Sequence, residues 1–186
     1  AEGRSVYPAL FNEITADLGS VLVLPHFTPT GPPSFIADSS GVMVGLHLGT
    51  KRGEVLKGIL EGITFYLKEV VDSLPETGIQ IENYRAVGGG SRSDIWVQTC
   101  ADILGQPFTR PVITEAGALG AAIMAGVGAG IFADYTQGVE AMVKLERTFE
   151  PDLALHQRYQ ARFQQYKRLW PLLADYLREL SAGTHC

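Results

Sequence analysis

The chain has 186 residues, 46% of them hydrophobic and 19% charged, with a net charge of −5 at neutral pH. That is ordinary globular composition, long enough for a single domain, 1–186, with a real core. The acidic balance and scattered basic residues exclude the electrostatic footprint of a nucleic-acid binder.

Tyr7 to Leu18 has apolar positions at Leu10, Phe11, Ile14 and Leu18, which predicts a helix ended by Gly19. Val21 to Leu24 predicts a short buried strand stopped by Pro25. The Pro-, Gly-, Thr- and Ser-rich run from His26 to Ser40 is loop. Gly41 to Leu46 predicts a second short strand or extended edge. Lys51 to Leu74 predicts a long amphipathic helix with Val55, Ile59, Ile63, Tyr66, Leu67, Val70 and Val71 on its packed face. Glu54, Glu61 and Glu69 share that helix and read as its solvated side. Pro75 and Gly78 end it.

Ile79 to Val87 predicts a strand, and Asp94 to Leu104 a helix ended by Gly105. Phe108 to Val112 reads as an extended piece that Pro111 confines to a sheet edge. Glu115 to Ala129 predicts a small-residue helix capped by Thr114, and Thr136 to Leu145 another helix. From Asp152 a last helix carries Leu155, Tyr159, Phe163, Tyr166 and Trp170 as a core stripe, broken or kinked by Pro171. Its basic residues Arg158, Arg162, Lys167 and Arg168 read as a solvated face. Strands alternating with helices predict an α/β fold with parallel strands crossed by helices.

Ala116 to Ala133 is uncharged and near the minimum length of a membrane span, but its glycines and alanines suit close packing within a protein, so no membrane partner is expected. Ala1 stands where a methionine would begin a complete chain, which suits a piece of a longer protein. Cys100, within an apolar helical pattern, reads as a small buried hydrophobe. Neither it nor Cys186 fits a metal or disulfide spacing, in keeping with a reducing, cytoplasmic location.

The inventory of catalytic side chains is thin. His26, His47, His156 and His185 are isolated, with His26 and His47 read as satisfied polar residues. Thr184, His185 and Cys186 read as a disordered tail and not a metal site. No Ser-His-Asp or Cys-His set emerges, and no Walker sequence follows the glycines. The informative stretch is Val87-Gly88-Gly89-Gly90-Ser91-Arg92-Ser93-Asp94. Three glycines leave the backbone open to close approach, and Ser91 with Asp94 reads as a capping-box variant opening a helix. A helix start offers unpaired N–H donors to a phosphate or a polar heterocycle.

This segment, continued through Ala101-Asp102-Ile103-Leu104-Gly105 to Arg110-Pro111, resembles the adenosine-binding segment of the FGGY carbohydrate kinases. Glu115 to Ala122 resembles the next helix of that family. Gly41 to Leu46 with Glu54 to Gly62 resembles its C-terminal signature, Gly58 standing where Ala or Ser is usual and implying a tight contact. Leu24-Pro25-His26-Phe27-Thr28-Pro29 resembles the family's Leu-Pro-Tyr loop, and Tyr159 to Pro171 its final helix.

The resemblance implies an actin-like ATPase (ribonuclease H-like) lobe, truncated at its N-terminal strands and carrying C-terminal helices. It implies ATP or ADP with Mg²⁺ as the bound group, the Mg²⁺ ligands lying outside this chain. Gly88, Gly89, Gly90 and Ser93 are the implied nucleotide residues, Gly89 and Gly90 approaching the adenosine and Ser93 contacting adenine. Gly45 is implied on the phosphate side, with Thr50 and Lys51 structural. The family's catalytic Asp and Gly-Thr hairpin are not found; Asp17 and Asp38 have the wrong context. The parent is therefore expected to transfer the ATP γ-phosphoryl group to a sugar or polyol hydroxyl, with this chain inactive alone. Its expected partner is the N-terminal, sugar-binding lobe. The alternative is a non-catalytic interaction or homodimerisation module.

Overall fold

The computed structural model describes residues 6–15 and 18–183. Ala1, Asp17, His185 and Cys186, on which sequence expectations rest, lie outside the described residues.

The chain folds in the order α1 (Tyr7–Phe11), β1 (Leu22–Leu24), β2 (Val42–Val44), α2 (Arg52–Ser73), β3 (Tyr84–Arg85), α3 (Asp94–Leu104), β4 (Phe108–Pro111), α4 (Ala116–Gly128), α5 (Tyr135–Met142), β5 (Leu145–Phe149), α6 (Leu153–Lys167) and α7 (Leu169–Gly183). Single 3-10 turns lie at Leu74–Thr77 and Gly89–Arg92. Strands β1 and β2 pair antiparallel, Leu22 opposite Val44. A second sheet runs β3-β4-β5, parallel across the first pair and antiparallel across the second.

The expectation of parallel strands crossed by helices therefore holds for β3-α3-β4 alone. Strand β4 is central and not an edge. Pro111 is tolerated because it is the last residue of the strand, where the register shifts between Arg110 and Pro111, so the missing N–H falls at an irregularity of the ladder. Strand β5 was not expected. Its Leu145-Glu146-Arg147-Thr148-Phe149 run buries only Phe149, leaving no alternation to read.

Helix α1 ends at Phe11, well short of Leu18. Glu13 N–H bonds to Leu10 O and Ile14 N–H to Phe11 O, each at 3.1 Å. These tight turns leave the helix and swing Ile14 into the core at 7% exposure.

Helix α2 packs on a different face from the one its aliphatic residues suggest. Ile63 and Leu67 are 37% and 40% exposed, whereas Lys57, Glu61 and Thr64 are buried. Glycine decides this. A Cβ at Gly58 would sit 2.9 Å from Val21 O, and one at Gly62 would sit 2.2 Å from Val23 O. The helix therefore lies against β1 along its glycine stripe, and the tight contact expected at Gly58 is present.

The core gathers Leu22, Leu24, Phe65, Val97, Ile103, Phe108 and Phe149 under Tyr159, Phe163 and Tyr166 of α6. The aromatic stripe of the last helices is thus core as expected. The break falls at Arg168, between α6 and α7. Pro171 sits in the first turn of α7, where a missing N–H costs no helix bond.

Candidate functional site

The glycine turn hangs between β3 and α3. Gly88 has φ +79° and ψ −175°, a conformation essentially confined to glycine. Its N–H donates to Thr114 O at 2.7 Å, and its carbonyl accepts from Ser91 N–H at 3.2 Å and from Ser91 Oγ at 2.7 Å. Gly88 is thus the anchor of the turn. A Cβ at Gly89 would meet nothing within 4 Å, while one at Gly90 would strike the Trp96 ring at 2.8 Å. Gly89 leaves an open face; at Gly90 the space is taken by the chain's own indole.

The cap differs from the Ser91–Asp94 box. Residues Gly89–Arg92 form a 3-10 turn, and Ser93 is the N-cap of α3, its Oγ accepting from Trp96 N–H at 3.3 Å. Ser91 is buried beneath the turn. Asp94 faces the second sheet, accepting from Arg110 Nη1 at 2.7 Å and Arg147 Nη1 at 2.5 Å. Arg110 also donates to Ser91 O at 3.0 Å and to Glu146 Oε2 at 2.8 Å. Asp94 and Glu146 hold the Arg110 guanidinium above its ordinary pKa, Asp94 contributing most. A side chain only 12% exposed with three acceptors ties the turn to β4 and β5 more firmly than a surface pair can. Thr114 likewise acts through its carbonyl; the N-cap of α4 is Glu115, without a side-chain cap bond.

Beside the turn opens a cleft of about 1110 Å³, larger than the usual span of small-molecule pockets. Gly89, Gly90, Ser93 and Trp96 line one side, and Tyr7 and Phe11 of α1 the other, their rings stacked at 6.1 Å. Three of the four sequence candidates therefore meet at the cleft; Gly88 stands behind it. Tyr7, Phe11 and Trp96 went unread. Only the i, i+4 aromatic spacing of Tyr7 and Phe11 could have pointed to that wall, and Phe11 stands in the sequence pattern as one apolar position of a helix.

Gly45 lies past the end of β2 with φ +85°, its Cβ position 2.7 Å from Ser20 O, so it serves the close approach of chain segments. Thr50 Oγ1 accepts from His47 N–H at 2.9 Å, and Lys51 N–H donates to Glu54 Oε2 at 2.9 Å. Both positions are structural, as expected. Glu54 is a capping residue whose pKa is lowered by that N–H and by Ser20 Oγ, not a bare solvated acid.

Glu61 corrects the solvated-face expectation more sharply. It is 0% exposed, accepts from Tyr159 Oη at 2.9 Å and Gly19 N–H at 3.4 Å, and lies 3.9 Å from Lys57 Nζ. Arg162, expected in solvent, donates to Gly19 O at 3.0 Å and Ser20 O at 2.8 Å. His26 is likewise not the satisfied polar residue expected, because its Nδ1 is buried without a partner. Burial pushes the Cys100 thiol up to about 11, so it is inert, as a small hydrophobe should be. Asp38 is exposed and faces Arg178 at 3.7 Å. Among the described residues no three His, Cys, Asp or Glu side chains form a metal-sized group, and no helix is long and apolar enough to cross a membrane.

Residues 5–129 match the FGGY family of carbohydrate kinases, C-terminal domain. The chain belongs to that family. The glycerol kinase of Solidesulfovibrio magneticus is 35% identical over 143 residues, covering 76% of this chain and 29% of the relative. Like other curated relatives it matches, that enzyme is far longer, and the chain spans about three tenths of it. The xyloylose kinase of Brucella ovis superposes with a TM-score of 0.80 at 30% identity, over 91% of this chain and 35% of that one. The xylulose kinase of Rhodospirillum rubrum gives 0.77 at 26% identity, over 95% and 36%. The fold is that of the FGGY kinases, an actin-like ATPase lobe of mixed α/β structure, as the resemblance implied.

Proposed function

We propose that this FGGY C-terminal domain forms the nucleotide side of a sugar or polyol kinase that transfers the γ-phosphoryl group of ATP to a carbohydrate hydroxyl. The observation that carries the reading is the open face of Gly89 at the mouth of the cleft, with Ser93 capping α3 beside it. Gly89 lets a nucleoside lie against bare backbone, where the leading N–H groups of a 3-10 turn have no partner within the turn. The Ser93 hydroxyl, which accepts from Trp96 N–H, keeps its own proton to donate to an adenine nitrogen. Tyr7, Phe11 and Trp96 offer aromatic surface for a flat heterocycle.

Phosphoryl transfer needs positioned phosphates, a base and charge neutralisation. In this reading the base, the Mg²⁺ ligands and the sugar contacts belong to the remainder of a longer polypeptide, and the chain alone holds nucleotide without turning it over. Bound Mg²⁺ would neutralise phosphate charge. The test is calorimetric titration of the chain with ADP beside Gly89→Val. Saturable binding by the parent chain, weakened at least tenfold in the variant (about 1.4 kcal/mol), is expected. Equal isotherms would sink the adenosine assignment.

A second reading has support in one observation. Helix α4 is apolar yet mostly exposed, with Met124 at 58% and nearby Ile131 at 72% exposure. Apolar surface of this kind is a contact surface, for the N-terminal lobe or for a second copy of the chain.

A further inference from the structure

The glycine turn has little of its own to hold it. A Cβ at Gly88 or Gly89 would meet nothing within 4 Å, so packing does not fix the backbone there, and glycine's conformational freedom works against a single shape. Hydrogen bonds fix it instead. At the near end Gly88 N–H is tied to Thr114 O. At the far end Arg110 of β4 reaches the turn, its Nη1 giving one proton to Ser91 O at 3.0 Å and one to Asp94 Oδ1 at 2.7 Å. Those two acceptors bracket Ser93 in the chain.

Arg110 is itself held in place. Glu146 Oε2 accepts from its Nε at 2.8 Å, and its Cζ stands 5.3 Å from the ring centroid of the buried Phe149. Asp94 is gripped from a second side by Arg147 Nη1 at 2.5 Å, and the Arg147 Cζ lies 4.4 Å from the same ring centroid. The other ion pair at the turn, Arg92 with Glu115, has both side chains more than half exposed and adds little. Arg110 does not line the cleft.

We propose that Arg110 is a positioning residue for nucleotide binding: it holds the Gly89–Arg92 turn and the Ser93 hydroxyl in the geometry that a nucleoside meets, so that the site is assembled before the ligand arrives. This rests on the reading of the cleft as the nucleotide site. A site that must order its own backbone on binding loses that entropy from its affinity, and one already held does not. Charge-assisted bonds at a side chain removed from water are strong enough for this task. The charge of Arg110 is met by Asp94 and Glu146, so it is spent within the protein and is not offered to phosphates. Losing it should therefore weaken adenosine and ADP alike.

The test is calorimetric titration of the full chain with ADP and with adenosine. Arg110→Met keeps the length of the side chain and removes its donors; it should weaken both ligands about tenfold. In a Ser93→Ala background the same change should cost about threefold or less, because the group it positions is gone. Gly62→Ala, which lowers stability on α2 far from the turn, should bind both ligands as the parent chain does, so that affinity and stability are read apart. Should Arg110→Met not fold, Glu146→Ala carries the test: Glu146 is half exposed and lies outside the cleft, and its loss should weaken both ligands about threefold by freeing Arg110. Unchanged affinity in the folded variant, a loss confined to ADP, or a loss undiminished by Ser93→Ala would overturn the proposal. A parent chain that binds neither ligand would sink the nucleotide reading itself, and this proposal with it.

Discussion

Glu61 shows how far a single side chain departs from what its position on a helical wheel suggests. Burial raises its carboxyl pKa above the ordinary value, against the opposing pull of Lys57 on its own helix and of Tyr159, Gly19 and Arg162 around it. A carboxyl with a raised folded-state pKa binds its proton more tightly folded than unfolded. Its stabilising contribution is therefore complete below about pH 4, near the unfolded pKa, and is lost as the pH rises through the folded value. Urea unfolding between pH 4 and pH 7 should show this as a downward contribution to stability. In Glu61→Gln that contribution should vanish, so the difference between the two proteins should change with pH across this window. A constant difference would mean that Glu61 does not titrate there. Nothing in the local sequence announces such burial; it follows from Tyr159 and Arg162, which lie about a hundred residues downstream.

At the scale of elements, two helices treat glycine in opposite ways. On α2 a Cβ at Gly62 would lie 2.2 Å from Val23 O, and backbone cannot yield as a flexible side chain can. Gly62→Ala should destabilise the chain by about 1–3 kcal/mol through overpacking against β1. On α4 a Cβ at Gly120 meets nothing within 4 Å, so helix propensity decides instead. Gly120→Ala should stabilise by roughly 0.5–1 kcal/mol. Denaturant midpoints moving in opposite directions are the expected result; stabilisation by Gly62→Ala would show that α2 can move off its strand, and destabilisation by Gly120→Ala would show that this face of α4 is packed. Helix α3 has the bounds its sequence predicts, and Gly105, with φ +68° at the C-cap, ends it as read; its N-cap is Ser93 and not the expected Ser91. Helix α1 and strand β5 were not legible, since neither carries a periodic pattern long enough to outweigh tertiary contacts.

For the whole molecule the question is what covers α4. Only Ile123 and Gly126 of that helix are buried, so an apolar element faces solvent in this chain. The chain spans about three tenths of its curated relatives, so a partner surface has room to exist. Light scattering across a concentration series should show mass rising with concentration, and Ala121→Lys with Met124→Glu, both exposed positions, should abolish the rise. An unchanging mass in the parent chain would remove self-association from consideration and leave the N-terminal lobe as the partner to test.

The sequence by itself determined the family, the α/β class, the glycine turn and the ends of α3. Each is written in local signals: capping residues, glycines at fixed offsets, and motifs in a fixed order. Tertiary structure decided which face of α2 is buried, that β4 is central, that Gly90 makes room for Trp96 and that Gly88 anchors the turn from behind. It also brought Tyr7 and Phe11 across from Ser93 to make a cleft. These depend on the approach of segments distant in sequence, where a carbonyl 2.2 Å from a would-be Cβ outweighs any preference of the residues beside it.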